Sequence, residues 1–120
     1  MSIVIQLFAT LVALEFLFIM YLETFATTSD RTSKVFGMSK EELARQSVNT
    51  LFKNQGIYNG LLGVLILLAV FVFSSQTAVM ILMGYIILVA LYGSIMSNPK
   101  IIFMQGGLAI ITLILSLMIH

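Results

Sequence analysis

The chain has 120 residues, 60% of them hydrophobic and 9% charged, with a formal net charge of +1. Soluble domains carry roughly 25% charged residues, so this composition leaves too little polar surface for a protein that lives in water. The absence of Cys and the single His exclude disulfide frameworks, thiolate metal sites, thiol nucleophiles and imidazole clusters, and the near-neutral charge gives no nucleic-acid footprint.

Residues 2–22 form the first apolar segment, long enough to cross a bilayer at about 1.5 Å per residue. The stretch Met1-Ser2-Ile3-Val4-Ile5 lacks the positive region of a signal peptide, so the segment reads as a retained span. Glu15 is its one charge and Glu23 follows at its end. Eight positions separate them, about 80° around a helix, which puts both carboxyls in one sector two turns apart. Residues 26–37 are polar, with Thr27-Thr28-Ser29-Asp30-Arg31 as a loop. Ser39 then reads as a helix N-cap, with Glu42 completing a capping box and Met38 facing Leu43 as a staple. Over 40–53, Ala44, Val48, Leu51 and Phe52 lie opposite Glu42, Gln46, Asn49 and Lys53, the pattern of an amphipathic interfacial helix. Nothing between Glu41 and Gln55 breaks it, so it either runs straight into the second span or, the favoured reading, is separated from it by a bend near 54–56.

The remaining spans read as 54–73, 77–96 and 101–119, joined by short turns at 74–76 and 97–100; Pro99 pushes Asn98 out of helical geometry. Short turns make these three helices antiparallel neighbours. The expected architecture is an all-α polytopic membrane protein: one domain over 1–120, a four-transmembrane-helix bundle, and the 40–53 helix between spans one and two. Arg31, Lys34, Lys40, Arg45, Lys53 and Lys100 then all fall on one side, the cytoplasmic side by the positive-inside rule, with both termini outside.

With that topology Glu23, Asn54, Gln55, Asn59, Tyr92 and Gln105 fall in the cytoplasmic half, with Glu15 near the midplane. Polar groups at such depth are either satisfied by neighbouring helices or exposed to a polar pocket. The candidate pocket is therefore Glu15, Glu23, Gln55, Asn59, Tyr92 and Gln105, with Glu15 at its floor. A carboxylate at the bilayer centre costs roughly 2.5–3.5 kcal/mol on insertion scales. The plainer reading of Glu15 is a hydrogen bond to Asn59, Tyr92 or Gln105 between helices, and that of Glu23 is a salt bridge to Lys53 or Arg31. Gly56, Gly60 and Gly63 have the spacing of close helix packing. Tyr85 and Tyr92, seven apart, read as a core-facing stripe of the third span. No metal-ligand set and no cofactor motif is present.

Several motifs together resemble a known family. They are Ala13-Leu14-Glu15, Tyr21-Leu22-Glu23-x-Phe25, Lys34-Val35-Phe36-Gly37, Asn54-Gln55-Gly56-Ile57-Tyr58-Asn59-Gly60, Tyr92-Gly93 and Gln105-Gly106. Over nearly the whole chain the pattern is similar to the small bacterial membrane proteins grouped as domain-of-unknown-function 1304. The resemblance implies four spans in a bacterial inner membrane and supplies no activity. The family pattern has His where Phe16 stands and Trp near Ala26, so a His-dependent chemistry is not essential here. Small multidrug exporters share the length, the four spans and a lone Glu midway along the first. This chain has no Trp and carries a long first loop, so that likeness is one of layout.

Three functions are compatible with these residues. The first is binding or transport of a small lipophilic or cationic molecule, with a protonatable Glu15 as the switch. The second is a membrane-embedded isomerase or hydrolase acting on a lipid or quinone, although no nucleophile has an obvious base. The third is an accessory subunit that docks a partner through the 40–53 helix. The expected partners are the lipid bilayer, such a ligand, and a second copy of the chain packed on the glycine face.

Overall fold

A computed structural model describes residues 1–96 and 101–119, the side chains of 101–104 excepted. The expected turn at 97–100, with Asn98 and Lys100, lies outside the described residues. The protein is all-α. Six helices occur among the described residues: α1 (Ile3–Met20), α2 (Asp30–Phe36), α3 (Lys40–Ala44), α4 (Gln46–Leu67), α5 (Gln76–Met96) and α6 (Ile101–Met118). Two π-helical turns extend α1 and α4 over Tyr21–Phe25 and Leu68–Val72. Three segments are long and apolar enough to cross a membrane: Ile3–Phe25, Gln46–Val72 and Gln76–Met96, of 23, 27 and 21 residues. Helix α6 is apolar over Gln105–Met118.

The helix expected over 40–53 is not one element. It is divided at Arg45, whose ψ of 134° is extended, so α3 stops at Ala44 and a new helix starts at Gln46. No bend follows at 54–56, where α4 is continuous. The break has a local cause. Leu43 is fully buried, its carbonyl accepts from Asn49 Nδ2 at 3.2 Å, and Glu42 reaches Arg45 rather than closing the capping box. Ser39 does cap α3, accepting from the Glu42 amide at 3.1 Å.

The chain forms two compact units. One comprises Met1–Ala13 and Leu65–His120. In it α5 buries Val79, Met83, Ile86 and Ala90, a stripe at helical spacing, and packs on α6, which buries Ala109, Thr112 and Ser116. The Thr112 and Ser116 hydroxyls bond back to Leu108 O and Thr112 O, which satisfies them without a partner helix. At the other edge of this pair, Gln76 Nε2 donates to Ser116 O at 2.8 Å and Ile119 O at 2.6 Å, so the start of α5 closes the end of α6. The turn before α5 is made by Ser74 in the left-handed region (φ 46°), with Ser75 N bonded to Ala69 O and Ser75 Oγ capping Ala78 N.

The second unit is Leu14–Val64. Its polar stretch 26–37, with a loop expected over 27–31, contains α2 from Asp30 on. Ser29 caps that helix by accepting from Thr32 N, and Gly37 ends it at φ 65°, with Met38 N bonded to Ser33 O. Phe36 of α2 meets Phe52 of α4 edge-on at 5.2 Å between ring centroids.

Candidate functional site

The candidate site lies in the second unit, where the end of α1 meets α4. An α-helical ladder bonds each amide to the carbonyl four back; here Ala26 N reaches Tyr21 O, five back, at 2.9 Å. That wider turn detaches the following carbonyls from their usual partners. Two buried threonines take them up. Thr27 Oγ1 donates to Glu23 O at 2.7 Å, and Thr32 Oγ1 donates to Ala26 O at 2.7 Å and lies 3.1 Å from Leu22 O. The π turn is therefore held shut by side chains from the following segment, and it fixes the rotation at which Glu23 leaves the helix.

Glu23 is 5% exposed. Its Oε1 accepts from Asn59 Nδ2 at 2.6 Å, a short hydrogen bond from α4. The two glycines beside Asn59 make this approach possible. A Cβ on Gly56 would collide with Thr24 Oγ1 and sit 3.0 Å from Thr24 N and 3.1 Å from Glu23 Cβ. A Cβ on Gly60 would collide with Met20 Sδ. A further bond, Thr24 Oγ1 to Lys53 O at 2.9 Å, ties the same turn to α4 one step earlier. Glycine spacing here serves close packing, with Gly63 buried on the same face.

The sequence candidates are distributed as follows. Glu23 and Asn59 are brought together. Glu15, one helix stretch earlier, is half-buried, and its Oε1 is buried with no hydrogen-bond partner among the described residues. Asn59, one of the partners anticipated for it, is bonded to Glu23. Gln55 is exposed: the buried stripe of α4 runs Gly56, Gly60, Gly63, with the half-buried Asn59 beside it, one position round from Gln55. Tyr92, 67% exposed, and the half-buried Gln105 belong to the other unit. The Tyr85 and Tyr92 stripe faces outward, since the buried stripe of α5 is the aliphatic one. Glu23 forms no salt bridge with Lys53 or Arg31: the bonds on Lys53 involve its carbonyl, and the Arg31 guanidinium lies 6.0 Å from the Phe18 ring centroid. Sequence reasoning missed Thr24, Thr27 and Thr32. Their signal is a threonine cluster just past the first apolar segment, which reads equally well as a polar loop.

Among the described residues no three His, Cys, Asp or Glu side chains converge. What the site offers chemically is a carboxyl oriented by a carboxamide, and a second carboxyl, Glu15, with a buried oxygen free to accept. Such groups bind protons, ammonium-type cations or hydrogen-bond donors.

No solved structure matches this chain. It is 62% identical over 117 residues to a Lactococcus lactis protein named "Uncharacterized protein YpaA", an alignment covering 97% of this chain and 98% of that one. The model of a family described as "Protein of unknown function (DUF1304)" matches residues 10–117. The motifs around Glu15, Glu23 and Asn59 lie inside that match, and the chain belongs to the DUF1304 family.

Proposed function

We propose that this protein is a four-span integral protein of the bacterial cytoplasmic membrane, with both termini outside, that binds or transports a small lipophilic cation through Glu15. The three span-length helices and the apolar run of α6 support the membrane reading. The observation that carries the ligand reading is the buried, unpartnered Oε1 of Glu15. Leaving such an acceptor unsatisfied costs about 1–3 kcal/mol, so the group calls for an explanation. A cationic ligand supplies both the missing donor and the compensating charge. The apolar lining of a span favours a ligand whose charge is carried on a lipophilic body.

The experiment is binding of a primary alkylammonium probe, which carries both the charge and N–H donors, to the full chain in nanodiscs, for wild type and Glu15→Gln. We expect at least a tenfold loss in the variant. Wild-type affinity should also fall as the pH drops through the titration of the carboxyl. Equal, pH-independent affinity in both proteins would end this reading.

A further inference from the structure

The outward face of the same span carries a second feature, unconnected with Glu15. Leu14, Phe18, Tyr21 and Phe25 recur every three or four residues along α1 and its π turn, and all four are exposed. In a membrane such a stripe faces acyl chains. Onto it folds a charge from the next helix: Arg31, in the first turn of α2, places its guanidinium carbon 6.0 Å from the Phe18 ring centroid. Phe18 in turn stacks on Tyr21, with centroids 6.4 Å apart and ring planes 23° apart. Phe18 stands seven residues before Phe25, about 10 Å along a helix axis at 1.5 Å per residue. The guanidinium therefore reaches back along the flank of the span instead of out into solvent.

None of the five acidic side chains, Glu15 and Glu41 included, pairs with Arg31 among the described residues. Asp30 pairs with Lys40, Glu42 pairs with Arg45, and Glu23 is buried against Asn59. Arg31 has no ion pair or hydrogen bond among the described residues. A guanidinium held against a lipid-facing aromatic face, without a carboxylate, lacks an anion of the kind lipid headgroups supply.

We propose that Arg31, Tyr21 and Phe18 form a binding site for the phosphodiester headgroup of an anionic phospholipid. The guanidinium fork matches two phosphate oxygens, the Tyr21 hydroxyl donates a further hydrogen bond, and Leu14 and Phe18 pack one acyl chain below. A net negative headgroup is selected because the phosphate of a zwitterionic lipid is already accompanied by its own ammonium. This site rests on the membrane reading above but not on the role of Glu15.

The test uses the full chain in detergent micelles, titrated with phosphatidylglycerol or phosphatidylcholine and read by native mass spectrometry and by the thermal midpoint. Phosphatidylglycerol should bind and raise the midpoint, and phosphatidylcholine should not. Arg31→Gln should weaken phosphatidylglycerol at least tenfold, Arg31→Lys less, and Arg45→Gln not at all, with the cation binding of Glu15 unchanged throughout. The proposal is overturned if folded Arg31→Gln retains the lipid, if both lipids bind alike, or if Arg45→Gln loses it equally. It is likewise overturned if millimolar glycerol phosphate protects as well as the lipid, since the site would then read free phosphate. Should Arg31→Gln fail to fold, Arg31→Lys and Tyr21→Phe decide: weakened phosphatidylglycerol binding supports the site, and unchanged binding refutes it.

Discussion

The side-chain amide of Asn59, on α4, donates to Glu23 Oε1 across 2.6 Å, so a buried carboxyl at the end of α1 takes its orientation from a second helix. The bond depends on three features at once. A π turn sets the direction of Glu23, Gly56 and Gly60 admit the backbone, and Thr27 and Thr32 close the turn behind it.

Replacing Asn59 by Leu removes the donor and leaves the Glu23 oxygen buried beside an apolar side chain. Hydrogen bonds between membrane helices average about 0.6 kcal/mol, whereas those to charged groups run to about 1.5–3 kcal/mol. We expect a loss of about 1–2 kcal/mol in detergent unfolding, most of it recovered when Glu23 is also replaced by Leu. A double-mutant cycle checks this: coupling below about 0.3 kcal/mol would show that the bond contributes no more than two independent side chains.

The glycines give a prediction about order. Ala is the better helix former by about 1 kcal/mol, so Gly→Ala in open space should stabilise. Gly84, in α5, has nothing within 4 Å of an added Cβ, and Gly84→Ala should raise the thermal midpoint. At Gly60 the worst clash is with a Met sulfur, which can swing away; at Gly56 the neighbours include the Thr24 backbone nitrogen, which cannot. The expected ranking is Gly84→Ala above wild type, then Gly60→Ala, then Gly56→Ala. Unfolding of the three variants side by side tests it, and Gly56→Ala matching Gly84→Ala would refute the close approach.

How much of this was legible beforehand depends on the range of the signal. The apolar segments, Ser39 as a cap and the close-packing spacing of Gly56 and Gly60 follow from composition and spacing, whereas Glu23, expected to meet Lys53 or Arg31, meets Asn59 instead. The break at Arg45 was not legible, because it comes from burying Leu43 and from Asn49 capping α3, which are contacts rather than patterns. Helix α2 was missed because its seven residues are mostly polar and its support comes from Thr32 and from Phe36 on Phe52. The π turn has no sequence signature. Helical spacing alone does not fix which way a face turns: Gln55, grouped with Asn59, is exposed, and Tyr85 and Tyr92, expected to pack in the core, are exposed too.

Thr32 is fully buried, and its hydroxyl serves the carbonyls of Ala26 and Leu22. Thr32→Val keeps the shape and removes the donor shared by the Leu22 and Ala26 carbonyls; Ala26 O keeps the Ser29 amide at 3.1 Å, so the loss is that of one hydrogen bond, about 0.5–1.5 kcal/mol. The π turn should loosen locally. Hydrogen exchange of the amides around Tyr21–Phe25 should quicken well before that of α5, and uniform exchange across both regions would mean the hydroxyl does not hold the turn.

Gln76 offers the corresponding test in the other unit. The last carbonyls of any helix lack intrahelical donors, and those of Ser116 and Ile119 receive both of theirs from the Gln76 amide. Ser116 is fully buried, so water is a poor substitute there. Gln76→Leu should therefore fray the last turn of α6 and cost about 1–2 kcal/mol. Gln76→Glu should be worse, because it sets a carboxylate against two carbonyl oxygens near the negative end of a helix dipole. Exchange rates in the last turn of α6 should thus rise in the order wild type, Leu, Glu. If Glu were tolerated better than Leu, the amide would be acting as a spacer and not as the cap of α6.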